Sequence, residues 1–412
     1  MKHLKKRRKK IVLFGHFDGT NFGNESTLQA FLYHLRRFLP DADVTCISTG
    51  SKAIIATHHI EAIPIAETFV TWVPRNPLSS ALRKICIGLP SEMYRWVTGF
   101  RSLRQADLFV IPGTGLLTDA YGLFSWGPYN LLRWSLIAKA CRCKIFFVSM
   151  GVGPVDGTLG KFFIKSMLSL ADFRSYRDNA SKQCLEDIGF RADGDRVYPD
   201  LVFSLPEAAV PRQNANKNSR PIVGLGVMPN VGKYSLAGPS NSNYLAYLER
   251  LVTLAKWLVS RNYDIRLLSG DVADVQAWQQ FRDLLREQST ACDEEHIIDQ
   301  PISSVEDLLS EIATTEIVVA TRFHNVLLAL LCNKPVISIS FHHKCQSLMS
   351  AVGLSDYCLD IRDWSADQLI EKFRDLENNA ERLKPLIREK TIEFRKALDE
   401  QYKCIFNSVQ PC

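Results

Sequence analysis

The sequence predicts an α/β protein of two Rossmann-like, doubly wound domains that face a cleft, and three observations favour this fold class. Short β-type runs alternate with longer helical patterns along the chain, which is typical of parallel sheets covered by helices on both faces. A polar, proline-punctuated stretch at 205–220 divides the alternation into two series and reads as a linker. The length of 412 residues is compatible with two cores of about 200 residues each.

The first series predicts an N-terminal domain over 11–204. A strand at 11–15 leads through a glycine-rich loop to a helix with apolar residues at helical spacing, and Ser26 and Gln29 form its predicted capping box. Further buried strands are predicted at 42–48, 107–113, 144–151 and 172–176, and further helices at 160–171 and 179–190.

The second series predicts a C-terminal domain over 221–364. Its strands are expected at 222–227, 264–269, 316–320 and 335–340, with a long helix at 243–261. Ser303 and Glu306 predict a capping box for the helix that leads into the third of these strands. The tail at 365–412 has charged residues at helical spacing, which predicts two C-terminal helices, the last packing back across the domains.

The basic character of the chain is confined to its first ten residues. The net charge is +6, yet seven positive residues lie at 1–10, so the rest of the chain carries a net charge of −1. This arm is predicted to be disordered and solvated, and peripheral contact with an anionic membrane surface is the alternative. No basic, aromatic-rich pattern elsewhere indicates a nucleic-acid partner.

Composition also restricts the compartment. The chain is 46% apolar and 23% charged, as in soluble globular proteins. No window approaches the roughly 18 apolar residues of a membrane span, and the run after the arm is too short for a signal peptide. Eleven scattered cysteines, with no C-x-x-C pair, are best explained as free thiols in a reducing cytoplasm.

Ligands of open α/β sheets bind beyond the carboxyl ends of the strands, so the loops that follow the predicted strands are the candidate sites. The first loop, after 11–15, combines glycines with four polar side chains: His16, Asp18, Asn21 and Glu25. Glycines allow backbone N–H groups to approach a ligand, and the following helix N-terminus favours negative charge. The spacing is not G-x-G-x-x-G, so a dinucleotide is disfavoured. The simpler interpretation is a turn with capping side chains.

Two further glycine-bearing loops follow strands of the same domain. Gly113 and Gly115 precede Asp119 in the first of them, and SMGVGPV forms the second. Together with the first loop they predict a common floor for a ligand.

Next along the chain, Arg177 follows the strand at 172–176, where an arginine can bind a carboxylate or phosphate bidentately. A structural pair with Asp178 is the equally weighted alternative.

The sharpest candidate is the turn between the strand at 316–320 and the apolar helix that follows it. Arg322 and His324 lie at the start of that helix, where oriented N–H groups also favour an anion. Asn325 is grouped with them as substrate-binding. After the next strand, Lys344 can add a positive charge to the same place. His342 and His343 are adjacent and point opposite ways in extended chain, so no metal site is predicted.

These motifs, in this order, resemble the polysaccharide pyruvyl transferase family. The resemblance runs from about Ile11 to Asp360 and rests on NFGNES, ADLFVIPGTGLLTD, MGVGP, SYRDNAS, YPDLVF, TRFHNVLLALLCNKPVISIS and KCQSLMSAVGL. Three places differ from the family pattern. Residues 23–26 read G-N-E-S where G-D-x-A is usual, residues 113–115 read G-T-G in place of three glycines, and Phe323 replaces a more usual leucine.

The resemblance implies a GT-B-like fold, with the acceptor on the N-terminal domain and the donor on the C-terminal domain. It implies transfer of pyruvate from phosphoenolpyruvate to two hydroxyls of a sugar, in an exopolysaccharide or cell-surface glycan precursor, with formation of a cyclic ketal and no cofactor or metal. The family's R-x-H element falls on Arg322 and His324, and its further basic residues fall on Arg177 and Lys344.

Roles for individual side chains follow from this implied chemistry. Phosphoenolpyruvate carries a phosphate and a carboxylate, so Arg322, Arg177 and Lys344 are expected to converge on it. His324 is the expected general acid or the partner of the leaving phosphate. Asp18 or Glu25, on the opposite domain, is expected to orient or deprotonate a sugar hydroxyl.

Two other functions remain compatible with the sequence. The first is a GT-B glycosyltransferase that uses a nucleotide sugar, although no ribose-binding glutamate appears in the apolar helix after His324. The second is a non-catalytic protein that binds a polysaccharide or a lipid-linked sugar. A lipid-linked oligosaccharide acceptor would give the basic arm a role at the inner face of the membrane.

Overall fold

A computed structural model describes residues 7–65, 87–120, 122–124, 127–211, 220–229, 242–288, 295–340 and 343–409. Two separate parallel sheets organise these residues, so the predicted fold class is confirmed. No helix in the described ranges is both long and apolar enough to cross a bilayer.

The N-terminal sheet has seven strands in the order β3-β2-β1-β4-β5-β6-β7. Its strands are β1 (Lys10–Gly15), β2 (Asp43–Ser48), β3 (Glu61–Pro64), β4 (Leu108–Pro112), β5 (Lys144–Met150), β6 (Phe173–Tyr176) and β7 (Arg196–Val197). The helices between them are α1 (Phe22–Phe38), α2 (Ser51–His58), α3 (Leu89–Leu103), α4 (Pro128–Ala140), α5 (Thr158–Ser169) and α6 (Asn179–Asp187).

The C-terminal sheet repeats this topology with six strands in the order β10-β9-β8-β11-β12-β13. Its strands are β8 (Ile222–Gly226), β9 (Asp264–Leu267), β10 (Ile297–Ile298), β11 (Ile317–Ala320), β12 (Val336–Ser340) and β13 (Cys358–Asp360). The helices are α7 (Ser242–Ser260), α8 (Asp274–Gln288), α9 (Val305–Ala313), α10 (Phe323–Leu331), α11 (His343–Ala351) and α12 (Ala366–Asn407). Short 3₁₀ helices lie at Leu201–Ser204, Glu207–Ala209 and Ser355–Tyr357.

The central strands are apolar on both faces because helices cover both sides of each sheet. In β1 every residue from Ile11 to Gly15 is buried, in parallel register with β2 (Ile11 beside Val44) and with β4 (Leu13 beside Val110). β11 is buried along its whole length in the same way. Continuous apolar runs are the expected pattern for such strands. Because the strands of each sheet are parallel, the loops that follow β1, β4, β5, β6, β11 and β12 lie at the carboxyl edges of the two sheets.

Two predicted helix starts were wrong. α1 begins at Phe22, with Asn21 as its N-cap, and the hydroxyl of Ser26 donates to the carbonyl of Phe22 inside the helix. In α9 the cap is Ser304, which accepts from the amide of Asp307, and the neighbouring Ser303 bonds to the Asp307 carboxylate. In both regions several residues can cap, and tertiary contacts select among them.

The C-terminal tail forms one helix, α12, where two were predicted, and it packs across both domains. Its first half contacts the C-terminal domain, with a hydrogen bond from Tyr357 to Asp375 of 2.6 Å. Its second half contacts the N-terminal domain, where the Gln401 amide bonds the hydroxyls of Ser149 and Ser175 at 3.0 and 2.7 Å. The helix continues through Pro385, because its apolar face is buried against one domain and then the other.

The two domains also join at the first loop. The amide of Phe22 donates to Gly270 (3.1 Å), and the amide of Val272 donates to Thr20 (2.9 Å). Between these bonds the side-chain amide of Asn21 donates to Asp271 at 2.9 Å. The loop after β1 is thus held to the loop after β9, which fixes how the two carboxyl edges face one another.

The predicted basic arm is shorter than ten residues. Residues 1–6 lie outside the described ranges, but Lys10 opens β1 and Arg7 donates to both Gln105 (2.9 Å) and Asp107 (3.0 Å). The last part of the arm therefore belongs to the N-terminal domain. The eight cysteines that the structure describes are all free thiols.

Candidate functional site

His324 lies where the two domains meet. It occupies the first turn of α10, and its ring packs against Gly23 in the first turn of α1. A Cβ on Gly23 would lie 1.9 Å from Nδ1 of His324, far inside van der Waals contact. The absence of a side chain at position 23 is therefore what allows the imidazole to sit between the two helix starts.

The surroundings of His324 keep its imidazole uncharged. Burial is the largest influence, followed by the positive charges of Arg177, Lys344 and Arg322, and together they lower the pKa of His324 to about 3. The histidine is therefore neutral near pH 7. An anion placed among the same cations would offset their charge and raise this pKa.

Arg177 comes from the N-terminal domain and reaches across to α10. Its guanidinium donates to the buried carboxylate of Asp200 at 3.0 Å, and its Cζ lies 4.4 Å from the centre of the Phe323 ring. It also lies against Gly151, where a Cβ would approach Cζ to 2.7 Å. Nε is buried and makes no hydrogen bond among the described residues, but lies 3.6 Å from Asp178. The described contacts of Arg177 are thus those of a buried ion pair with Asp200, with Asp178 beside it, and its predicted contact with a ligand stays a prediction.

Lys344 adds a second cation from the C-terminal domain. It lies in the first turn of α11, and its Nζ is 3.0 Å from the position that a Cβ on Gly115 would take. Burial, and next the charge of Arg177, lower the pKa of Lys344 to about 7. Close packing of like charges raises the energy of the protonated amine, which is a typical feature of sites that bind anions.

Arg322 is placed differently from what its predicted role requires. Its Nε donates to both carboxylate oxygens of Asp274 at 2.7 Å, and Asp271 lies 3.9 Å away. Asp274 is fully buried, and desolvation raises its pKa against the opposing effect of Arg322. Arg322 therefore holds the loop after β9 while its charge still reaches His324.

Asn325 is buried beneath the site. Its side-chain amide donates to Leu268 at 3.3 Å, and it packs against Gly226 and Gly270 at the ends of β8 and β9. This position supports the loops that carry Arg322 and Asp271. The predicted contact of Asn325 with substrate stays a prediction.

The polar residues of the first loop make local and interdomain contacts. Asp18 accepts from the amide and hydroxyl of Thr20 at 3.0 and 2.7 Å. Glu25 is buried and uses both oxygens, one for the amide of Gly19 (3.0 Å) and one for His58 (3.2 Å). Asn21 caps α1 and bonds Asp271. Of the two predicted acids, Asp18 is the one whose hydrogen bonds involve a single carboxylate oxygen.

The second glycine loop is likewise built into the sheet edge. Gly113 adopts a positive φ of 29° and donates to Val148 of β5 at 2.7 Å. Asp119 lies at the start of α5 and accepts from the amides of Asp156 (3.3 Å) and Gly157 (2.7 Å), the two residues before the helix. Its carboxylate faces a helix N-terminus, where negative charge is stabilised, so in this structure it positions the loop.

Several residues that build the site were not among the sequence candidates. Asp200 neutralises Arg177, Asp274 holds Arg322, and Gly151 leaves room for the Arg177 guanidinium. Asp200 lies in YPDLVF and Gly151 in MGVGP, so both were within recognised motifs. The partner of Arg322 carried no local signal. Among the described residues no group of three or more potential metal ligands exists.

Two Rossmann-type sheets with a cationic cluster between their facing edges define a GT-B-like protein. The family model of polysaccharide pyruvyl transferases matches residues 21–343, most of the chain. The chain belongs to that family. None of the curated proteins matches it.

Similar solved structures share the fold at low sequence identity. The UDP-GlcNAc 2-epimerase from Neisseria meningitidis bound to UDP-GlcNAc has a TM-score of 0.61 at 10% identity, covering 97% of this chain and 99% of that one. The UDP-GlcNAc 2-epimerase from Methanocaldococcus jannaschii has a TM-score of 0.58 at 11% identity, covering 89% of this chain and 92% of that one. A glycosyltransferase from Rickettsia africae ESF-5 has a TM-score of 0.55 at 14% identity, covering 97% of this chain and 99% of that one. At these identities the likeness shows the fold alone.

Proposed function

We propose that this protein transfers pyruvate from phosphoenolpyruvate to two hydroxyls of a sugar in an exopolysaccharide or cell-surface glycan precursor. The product is a cyclic pyruvyl ketal, and phosphate is released. The observation that carries the proposal is the convergence of Arg177, His324 and Lys344 from both domains on one place between two helix starts. A small ligand with a phosphate and a carboxylate suits such a cluster.

The reaction needs one proton for carbon and one for phosphate. Protonation of the methylene carbon gives oxocarbenium character at the central carbon, and the first sugar hydroxyl attacks there and loses its proton. The C–O bond to phosphate then breaks, and the second hydroxyl closes the ring and loses its proton. The two protons released by the hydroxyls balance those taken by the methylene carbon and the phosphate.

The cluster supplies the charge stabilisation for these steps. Arg177 and Lys344 bind the phosphate and carboxylate, and the donor's negative charge raises the pKa of His324 from the low value that burial and then its cationic neighbours impose. A protonated His324 then serves as general acid or as partner of the leaving phosphate. Asp18, from the acceptor side, orients or deprotonates the sugar hydroxyl.

A nucleotide-sugar glycosyltransferase is the alternative on this fold. α10 carries no acidic residue that could hold a ribose, since it reads FHNVLLALL. Thermal unfolding of the full chain with phosphoenolpyruvate or with a panel of UDP-sugars separates the two functions. We expect stabilisation by phosphoenolpyruvate, and release of phosphate with formation of a pyruvylated sugar, detected by mass spectrometry, when a competent acceptor is added. Stabilisation by a UDP-sugar alone would favour the alternative.

Binding of phosphoenolpyruvate is expected to weaken as pH rises. The pKa of Lys344 is about 7, and a bound anion raises it, so binding takes up a proton above pH 7. The proton taken up by Lys344 should therefore increase the dissociation constant by up to about tenfold per pH unit above pH 7, in addition to the pH dependence that protonation of His324 on binding contributes. Isothermal titration calorimetry in buffers of different ionisation enthalpy measures both the affinity and the proton uptake.

The Lys344→Arg variant is the matched control for this pH dependence. Arginine keeps its charge over the whole range, so the variant should lose the part of the dependence above pH 7 that Lys344 contributes and keep the part that His324 contributes. An equal slope in both proteins would show that Lys344 is not the group that titrates on binding.

A further inference from the structure

The apolar side chains of α3 face solvent. Leu89, Met93, Val97 and Phe100 are 62%, 71%, 49% and 47% exposed, and Trp96 is 37% exposed. Their spacing of three and four residues places all five on one stripe of the helix. Large side chains of this kind normally form the buried stripe of a surface helix.

The inner face of α3 combines the buried Leu103 with a polar group. Glu92, the single acid of this helix, accepts hydrogen bonds from Tyr129 (2.7 Å) and Arg133 (3.1 Å). Gly99 is buried against the side chain of Ile137. The helix is thus held to the domain by a partly buried charged network and a close approach. Of the apolar stripe, Trp96 takes part through a side-chain hydrogen bond with Tyr129.

The stripe belongs to a larger surface on the layer formed by α3, α4 and α5, which we call the apolar face. Exposed side chains on or beside the two neighbouring helices extend it, namely Phe124, Leu136, Leu159 and Phe162. More than half of the exposed large apolar side chains in the described residues lie on this one layer. Monomer surfaces rarely concentrate apolar groups in this way unless the surface has a partner.

Positive charge collects at the C-terminal end of the same helix. Arg101 and Arg104 are exposed there. The start of the chain is fixed beside them, because Arg7 donates to the carbonyl of Gln105 and Lys10 donates to the carbonyl of Ser102 at 3.1 Å. The described chain therefore begins at Arg7, next to the C-terminal end of α3, and Lys2, Lys5 and Lys6 precede Arg7 in the sequence.

We propose that the apolar face and the basic N-terminus together dock this protein on an anionic lipid membrane. An apolar helix stripe that enters the interface and a cluster of basic residues that binds acidic headgroups are the two signals that stable peripheral binding requires. Charge complementarity selects a membrane as the occupant over a second copy of the chain, since Glu92 is turned inward and the exposed charges of α3 are positive.

The orientation of α3 relates this surface to the site. α3 leads directly into β4 and runs back against the strands, so its Leu89 end lies toward the edge that carries the Gly113 loop. Docking would bring the acceptor side of the site near the headgroups. That position suits a lipid-linked sugar acceptor. The link to the acceptor rests on the proposed function, whereas the membrane contact does not.

Sedimentation of the full chain with phospholipid vesicles tests the membrane contact. We expect binding to vesicles that contain phosphatidylglycerol, weak binding to phosphatidylcholine alone, and loss of binding at high salt. The double variant Met93→Ser/Phe100→Ser should bind the vesicles at least about tenfold more weakly than the parent. The triple variant Lys2→Gln/Lys5→Gln/Lys6→Gln should lose a comparable factor. The matched control, Leu245→Ser/Val275→Ser, removes exposed apolar residues from the other domain and should bind like the parent.

Two results would overturn the proposal. One is equal vesicle binding by the α3 variant and its control. The other is a parent protein that forms a dimer without vesicles, by light scattering, which the α3 variant alone abolishes, because the face would then be covered by a second copy. Thermal stabilisation by phosphoenolpyruvate, measured on the same proteins without vesicles, keeps the two proposals separate. A parent that binds vesicles but ignores phosphoenolpyruvate would contradict the proposed function only.

Discussion

Replacing His324 with alanine is expected to lower kcat for phosphate release by about 10²–10⁴-fold, the usual contribution of a general acid or base. The His324 side chain lies at the start of α10, where the charges of Arg177, Lys344 and Arg322 act on it. A discontinuous phosphate assay with phosphoenolpyruvate and acceptor measures the loss. Thermal unfolding shows whether the variant remains folded.

Gly23→Ala should produce a loss of the same kind without removing any functional group. The new Cβ would lie 1.9–2.4 Å from three atoms of the His324 ring, so the imidazole must leave its place. Alanine is the better helix former at this position, and α1 itself should remain intact. Gly194→Ala is the matched control, because a Cβ there meets nothing within 4 Å.

The two changes should not be additive. Once His324 is alanine, the methyl group at position 23 has no ring to displace, so the double variant should be about as active as His324→Ala alone. Full activity of Gly23→Ala, or losses that multiply in the double variant, would show that the imidazole does not act from the place described here.

Much of this arrangement could be predicted from the sequence because the governing rule is local. Parallel strands deliver the residues that follow them to one sheet edge, so the strand–helix alternation alone placed Arg177, His324 and Lys344 just beyond strand ends. The structure puts Arg177 in the loop after β6, and His324 and Lys344 in the first turns of α10 and α11. The glycines beside them were predicted to allow close approach. The structure shows that side chains of the other domain, as well as backbone, use that space.

What could not be predicted depends on contacts between distant parts of the chain. Arg322 binds a carboxylate 48 residues away, and Asn21 binds one 250 residues away. Neither partner leaves a pattern near the residue it holds. The depressed pKa of His324 likewise results from burial and from cations that follow three different strands. Residue type and position in the fold were predictable, and the pairing of charges was not.

Arg177→Met is expected to destabilise the protein by about 3–5 kcal/mol, the usual result of leaving one partner of a buried ion pair alone. The partner is Asp200, which is 4% exposed and accepts from Arg177 and from the amide of Val202. Burial already raises the pKa of Asp200. Without Arg177 that pKa rises further, so the destabilisation should shrink as pH falls and Asp200 becomes protonated. Urea unfolding at several pH values measures this.

The double variant Arg177→Met/Asp200→Asn separates the structural role of the arginine from its proposed role in binding. Asparagine keeps the oxygen that accepts from Val202 and removes the charge that needed a partner, so most of the lost stability should return. Binding of phosphoenolpyruvate should not return, because the guanidinium that faces Phe323 and the site is still missing. A double variant that regains both stability and affinity would show that Arg177 serves the fold alone. Recovery of stability without affinity is the outcome expected of an arginine that is held by one anion and directed toward another.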